Sequence, residues 1–139
     1  EPIAWSGIPR IKLWLDALEA TDRDAQGLEQ VMEKVDKYQL PLAATAAPEG
    51  LPLRRLYVLR RAEGGANAGI VRLAGAEAVQ AVLTNTYRSG FVSRMGDTEG
   101  HFTRCVTLAR RVEVYAAHRA WGFDVFDAEA ERIRRHVLG

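Results

Sequence analysis

Leu56-Tyr57-Val58-Leu59 is a short apolar run set between two arginine pairs, Arg54-Arg55 and Arg60-Arg61. An uninterrupted apolar run of this length, with charge at both ends, is typical of a strand buried on both faces. The sequence therefore predicts a strand from Leu53 to Arg61. Residues 63–69 hold three glycines and predict a flexible turn. We expect Ile70–Leu73 to pair back antiparallel to that strand.

The chain before this run predicts a strand, two helices and a connection. The alternation of Ile11, Leu13 and Leu15 predicts a strand from Ile8 to Leu15, which runs into a short helix ending near Ala20. Four apolar residues at helical spacing predict a helix over Gly27–Lys37, which Asp24 would cap. These residues are Leu28, Val31, Met32 and Val35. Three prolines in residues 41–52 indicate a surface connection.

The second half of the chain is mostly helical in pattern. Apolar spacing predicts one helix from Gly75 to about Tyr87 and another starting near Asp97. Val112–Ala116 predicts a strand, and Asp127 is expected to cap a last helix. The sequence therefore predicts an α/β fold with a mixed sheet and covering helices, formed by residues 1–139 as a single domain.

Composition excludes several classes of protein. The chain has 139 residues, of which 47% are hydrophobic and 27% charged, the profile of a packed domain and not of a disordered one. A net charge of +1 indicates no general affinity for nucleic acid or anionic lipid, and no apolar run is long enough to span a membrane. A single cysteine forbids an internal disulfide, so a cytoplasmic location is expected.

The sequence holds few groups of residues that indicate catalysis. It has no G-x-x-x-x-G-K-[ST] loop, no G-x-G-x-x-G and no paired-cysteine zinc spacing, so we expect no catalytic residue and no metal ligand in this chain. His101 and Cys105 lie four residues apart, but Cys105 falls on an apolar helical stripe and is interpreted as a buried, inert thiol. His118 and His136 have no neighbouring nucleophile that would complete a triad.

The basic residues carry more information. Sixteen of the nineteen are arginine. Arg10 and Lys12 are predicted on one face of the first strand, directly after Gly7-Ile8-Pro9, where two cations could hold a phosphate. The alternative interpretation is a solvated strand face with no ligand.

Several segments, taken together, resemble the C-terminal part of proteins related to HPr kinase/phosphorylase, whose fold is like that of phosphoenolpyruvate carboxykinase. The segments are Gly7-Ile8-Pro9-Arg10-Ile11-Lys12-Leu13-Trp14, Asp16-Ala17-Leu18, Asp36-Lys37 before Leu40-Pro41-Leu42, Leu51–Leu59, Thr86-Tyr87-Arg88, and the stretch from His101-Phe102 through Cys105 to Val114-Tyr115. The resemblance spans about Trp5 to Arg119.

The resemblance implies an ATP-dependent serine kinase that uses Mg²⁺ and phosphorylates a protein or peptide acceptor, with homo-oligomers possible. In that family the P-loop and an acidic pair lie upstream of the Gly-x-Pro-Arg segment, so the resemblance implies that this chain is an incomplete domain. ATP and Mg²⁺ are then expected in the intact parent and not in this chain alone. By position in the pattern, Arg10, Lys12 and Lys37 would contact phosphate or acceptor, with Arg54 and Arg88 behind them.

Two other hypotheses stay open at this point. The chain could be a non-catalytic binding or regulatory module that keeps the fold without nucleotide chemistry. It could also be an unrelated α/β domain that matches by chance. Chance similarity would be favoured if the first strand did not lie beside the strand at Leu53–Arg61 in one sheet.

Overall fold

The computed structural model describes residues 1–5, 7–42, 49–62 and 68–139. These residues form a mixed α/β fold with three small sheets and five helices. The strands are β1 (Ile3–Ala4), β2 (Arg10–Trp14), β3 (Glu29–Gln30), β4 (Lys37–Pro41), β5 (Leu51–Pro52), β6 (Arg55–Arg61), β7 (Gly69–Leu73) and β8 (Glu113–Arg119). The helices are α1 (Leu15–Glu19), α2 (Gly75–Thr84), α3 (Gly90–Arg94), α4 (Thr98–Arg111) and α5 (Phe126–Leu138).

The chain divides into two compact units. The first comprises Ile3–Leu51, and the second comprises Glu1–Pro2 together with Pro52–Gly139. Two internal segments named in the sequence interpretation, residues 43–48 of the proline-rich connection and residues 63–67 of the glycine-rich turn, lie outside the described residues.

The first unit is built around an antiparallel sheet in the order β2-β4-β3. The predicted strand and the short helix after it are confirmed as β2 and α1. Leu18 on α1 is fully buried, and no other described residue of this unit is fully buried. The apolar interior of the unit therefore depends on this side chain.

The predicted helix over Gly27–Lys37 is wrong, because this segment forms the β3–β4 hairpin. Gly27 and Lys34 have φ angles of +81° and +67°, which a right-handed helix does not admit. The Val31 N–H donates to the Lys37 carbonyl at 2.8 Å, closing the hairpin. Asp24 does not cap a helix either, since its Oδ1 accepts from the Gln26 N–H in a local turn.

The second unit is built around a sheet in the order β6-β8-β7. The strand predicted at Leu53–Arg61 is confirmed as β6, and β8 confirms the strand predicted at Val112–Ala116. The expected burial of β6 on both faces is wrong, because β6 is an edge strand and its Leu59 is 56% exposed. The expected pairing of Ile70–Leu73 with β6 is wrong, since β7 pairs antiparallel with β8 while β6 pairs parallel with it. Strand β8 takes the central position, where Val114 and Ala116 are buried on one face and Ala117 on the other.

The faces of this second sheet are covered by different helices. Val114 packs with Ala78 and Ala81 of α2 in the core, and Leu108 of α4 joins them. On the opposite face, the stacked rings of Tyr57 and Tyr115 meet His136 of α5 edge-on. Alternation of side chains along the strands produces this division.

The helix predictions in this half are confirmed in position, with corrections at their ends. Helix α2 stops at Thr84 and not near Tyr87, because the Asn85 side-chain amide donates to the Ala81 carbonyl at 2.8 Å and competes with the helical pattern. Asp127 lies in the first turn of α5, whose N-cap is Val125, so Asp127 is not the cap. Helix α3 was not predicted.

In the described ranges no helix combines the length and the apolar character needed to cross a membrane.

Candidate functional site

Three of the cations singled out in the sequence lie on one face of the first unit's sheet. In the β2–β4 register, Lys12 stands opposite Gln39 and Trp14 stands opposite Lys37. Residues directly opposite in an antiparallel pair share a face, and alternate residues along a strand do too. One surface, called here the basic face, therefore carries Arg10, Lys12 and Lys37 together with Trp14, Gln39 and Glu29, since Glu29 of β3 stands opposite Gln39.

The spacing of these cations follows from strand geometry. Arg10 and Lys12 are two residues apart, which separates their backbone positions by about 7 Å. Lys12 and Lys37 are diagonal neighbours across the strand pair, at about 7–8 Å. Flexible side chains that start at these separations can converge on a single phosphate group, so the basic face is suited to an anionic ligand.

The two ends of the basic face differ in how their cations are held. The Lys37 ammonium lies over the Trp14 ring, 4.9 Å from its centroid, and Lys37 is half-buried. This contact fixes the position of the charge at one end of the face. Arg10 and Lys12 are exposed, and neither forms an ion pair with another described residue.

A cavity of ≈ 270 Å³ opens at the other end of the basic face. Its lining includes Arg10, Gln39 and Glu29, and Glu29 stands opposite Gln39 in the β3–β4 register. The Gln39 Oε1 atom is buried, and no group in the described part of the chain hydrogen-bonds to it. A buried polar atom without a partner is costly, so a ligand that donates a hydrogen bond here would relieve that cost.

The remaining two predicted site residues, Arg54 and Arg88, belong to the second unit. Arg54 belongs to the second unit, at the wall of an arginine-rich cavity, and its guanidinium lies 3.9 Å from the Glu1 carboxylate. Arg88 also belongs to the second unit, where its backbone adopts a φ of +54° after α2. Its guanidinium lies 5.2 Å from the centroid of the Tyr87 ring and 5.9 Å from that of Phe91.

The histidines take part in packing and local hydrogen bonds. His101 Nε2 lies 3.5 Å from Cys105 Sγ and 3.4 Å from Thr86 Oγ1. His136 Nδ1 lies 2.8 Å from the Tyr57 hydroxyl. The described residues contain no group of three or more His, Cys, Asp or Glu side chains that could hold a metal ion.

Cys105 is 5% exposed, which agrees with its interpretation as a buried thiol. Replacing it with serine is expected to lower the free energy of unfolding by about 1–3 kcal/mol, because a hydroxyl replaces a small hydrophobic group in the interior. Cys105→Ala should cost less, since it buries no polar atom. Urea denaturation of both variants measures the difference. A chelator that lowers the melting temperature of the wild-type protein would instead establish a metal at His101 and Cys105.

Trp14, Gln39 and Glu29 belong to this site but were not identified from the sequence. Trp14 lies two residues after Lys12 on the same strand, so the two-residue period of a strand was sufficient to place Trp14 on the same face. Gln39 and Glu29 had no such signal, because the segment before β4 has helical apolar spacing. Only strand pairing reveals which residues face each other across β2, β4 and β3.

Comparison with known proteins adds no relative: no protein-family model, no curated protein and no solved structure matches this chain.

Proposed function

We propose that this chain is the C-terminal portion of an HPr-kinase-like, ATP-dependent serine kinase and that its basic face binds phosphate during transfer to a protein or peptide acceptor. The observation that supports the proposal most is the convergence of Arg10, Lys12 and Lys37 on one face. Arg10 and Lys12 lie on β2 and Lys37 lies on β4, and the kinase resemblance implies phosphate or acceptor contacts at the same three residues.

The cations of the basic face are suited to a phosphate group. Arg10, Lys12 and Lys37, less the carboxylate of Glu29, carry a net charge of +2, which matches the two negative charges of a phosphate group with its several acceptor oxygens. Arg10 supplies a planar pair of donors, and Lys12 and Lys37 supply compact point charges. In phosphoryl transfer such cations stabilise the charge that develops on the transferring group.

The proposed kinase uses two cofactors, ATP and Mg²⁺, and this chain offers candidate contacts for the first only among its described residues. The phosphates of ATP fit the cations of the basic face. Mg²⁺ requires a set of oxygen ligands, and in residues 1–5, 7–42, 49–62 and 68–139 no cluster of three or more acidic or histidine side chains supplies one. We therefore assign no metal ligand to this chain and propose no step through the metal.

The test is phosphoryl transfer by the full-length protein. The full-length protein is incubated with ATP labelled at the γ-phosphate, Mg²⁺ and a panel of seryl acceptors that includes an HPr-type carrier protein. Label on an acceptor serine is the expected result. A folded full-length protein that neither hydrolyses ATP nor labels any acceptor would contradict the proposal.

A second candidate is that the chain is an α/β domain unrelated to the kinase family, which binds an anion without nucleotide chemistry. Strand β2 pairs with β4, whereas β6 belongs to the separate β6-β8-β7 sheet. This separation favours chance similarity to the kinase family, as stated above. In that case the basic face would still bind a phosphate-bearing ligand, so inorganic phosphate binding without any ATP turnover would identify this alternative.

A further inference from the structure

We propose that the second unit holds a separate site for a compact, multiply charged phosphate compound, in a cavity lined by five arginines. The cavity has a volume of ≈ 640 Å³. The cavity, called here the arginine cavity, is lined by Arg54, Arg55, Arg72, Arg110 and Arg111. The site goes beyond the proposed function, because none of these residues belongs to the basic face.

The arginine cavity lies where several elements end or begin. Strands β6 and β8 are parallel and start here, at Arg55 and Glu113, and α4 ends at Arg111. Arg72 comes from β7, which runs antiparallel to β8. The arginines thus come from four different segments, the connection before β6 included, and only the tertiary fold gathers them. The cavity lies at the amino ends of the two parallel strands. In parallel sheets ligands usually bind at the carboxyl ends, so the fold alone would not have indicated this site.

Arg55 has a structural role in the cavity wall. Its Nε donates to Glu113 Oε2 at 3.0 Å, and its Nη1 donates to the carbonyls of His136 and Val137 at 3.1 and 3.0 Å. The guanidinium therefore holds the last turn of α5 against the start of β6. The Arg55 side-chain hydrogen bond lowers the pKa of Glu113, so this carboxylate stays ionised at neutral pH.

The other four arginines carry charge that the protein balances only in part. Arg72 shares Glu113 with Arg55, at 3.5 Å, and Arg54 is 3.9 Å from Glu1. Arg110 and Arg111 form no ion pair or side-chain hydrogen bond to any described residue. Elsewhere in this unit, four arginines pair with a carboxylate in or next to their own helix: Arg104, Arg132, Arg134 and Arg135.

The amount of excess positive charge around the cavity distinguishes a ligand site from arginines that only balance the helix dipoles. Five arginines against Glu1 and Glu113 leave a net side-chain charge of +3 around the cavity. Helices α4 and α5 both end here, and each C-terminus contributes about half a negative charge. About two positive charges remain after both dipoles are counted. A pyrophosphate-like anion would neutralise them, and a cavity of this volume is in the range of small-ligand sites.

Binding of inorganic pyrophosphate to the 139-residue chain tests the site. Isothermal titration at about 0.15 M salt, where exposed charges are screened beyond about 8 Å, separates a built site from general attraction. The wild-type chain is expected to bind pyrophosphate. Arg110→Gln and Arg111→Gln, each made alone, are expected to weaken binding by about threefold or more, and the two together by tenfold or more. Arg94→Gln, which removes an exposed arginine of α3 outside the cavity, is the matched control and should bind as the wild type does.

Backbone amide chemical shifts of the wild-type chain locate the bound pyrophosphate independently of any variant. The expected result is a set of shifts at Arg54, Arg72 and Arg110–Glu113. Three results would each overturn the proposed site in the arginine cavity. They are absence of pyrophosphate binding, equal weakening of binding by Arg94→Gln, and amide chemical-shift changes confined to β2 and β4. The last of these outcomes would still support the basic face, so the two proposals fail separately.

Discussion

Lys12→Ala in the full-length protein is expected to slow phosphoryl transfer by roughly a hundredfold or more while leaving the melting temperature nearly unchanged. Lys12 lies between Arg10 and Lys37 on the basic face, opposite Gln39 in the strand register. A cation that contacts the transferring phosphoryl group contributes several kcal/mol to lowering the barrier. The same side chain is exposed, so its removal should change the free energy of unfolding by less than about 0.5 kcal/mol.

Arg10→Ala is expected to have an effect of the same order, and Arg23→Ala is the matched control. Arg23 is an exposed cation of the same unit, in the turn after α1 and outside the basic face. Its replacement removes one positive charge, as the other two variants do, and should leave the rate of transfer as in the wild type. Wild-type turnover of Lys12→Ala and Arg10→Ala would mean that the basic face is a solvated strand surface.

Leu18→Ala is expected to lower the free energy of unfolding by about 2–5 kcal/mol. Leu18 has 0% exposure, and no other described residue between Ile3 and Leu51 is fully buried. Truncation removes apolar area from the interior and leaves a cavity that so small a unit has few other side chains to fill. Since whole domains are stable by only about 5–15 kcal/mol, the loss is a large fraction of the total.

Leu42→Ala provides the control for this change. Leu42 is 43% exposed, so the identical truncation should cost under about 1 kcal/mol. Urea denaturation followed by the fluorescence of Trp14 and Trp5, both in the first unit, measures the two variants. Equal losses at Leu18 and Leu42 would show that Leu18 does not organise the interior of this unit.

The local sequence pattern was sufficient to predict the secondary structure of a segment that has one clear periodicity and no competing strand pairing. The strand at Ile11 and Leu13, the apolar run at Leu56–Leu59 and the stripe around Cys105 are of this kind. Alternation at a period of two, or spacing at three and four residues, reports which side chains can be buried together. The same alternation placed Arg10 and Lys12 on one face before any strand pairing was known.

The hairpin at Glu29–Pro41 shows where local pattern misleads. Leu28, Val31 and Val35 have helical spacing, yet they are half-buried in a hairpin whose turn contains Lys34 at positive φ. Strand β4 lies between β2 and β3 and pairs with both, so strand pairing within the unit, and not the local apolar spacing, decides this segment. A tertiary preference of this kind has no counterpart in the sequence of the segment itself.

The amino-acid sequence by itself determined the α/β class, four of the five helices and four of the eight strands in the described residues, and the placement of Arg10 and Lys12 on one strand face. The tertiary structure alone decided that β8 lies between β6 and β7, that Lys37 joins the basic face, and that arginines from four segments line one cavity. The physical reason is that periodicity acts over a few residues, whereas strand order and the meeting of distant charges depend on long-range burial and hydrogen bonding. Those terms are set by the whole chain and not by any one segment.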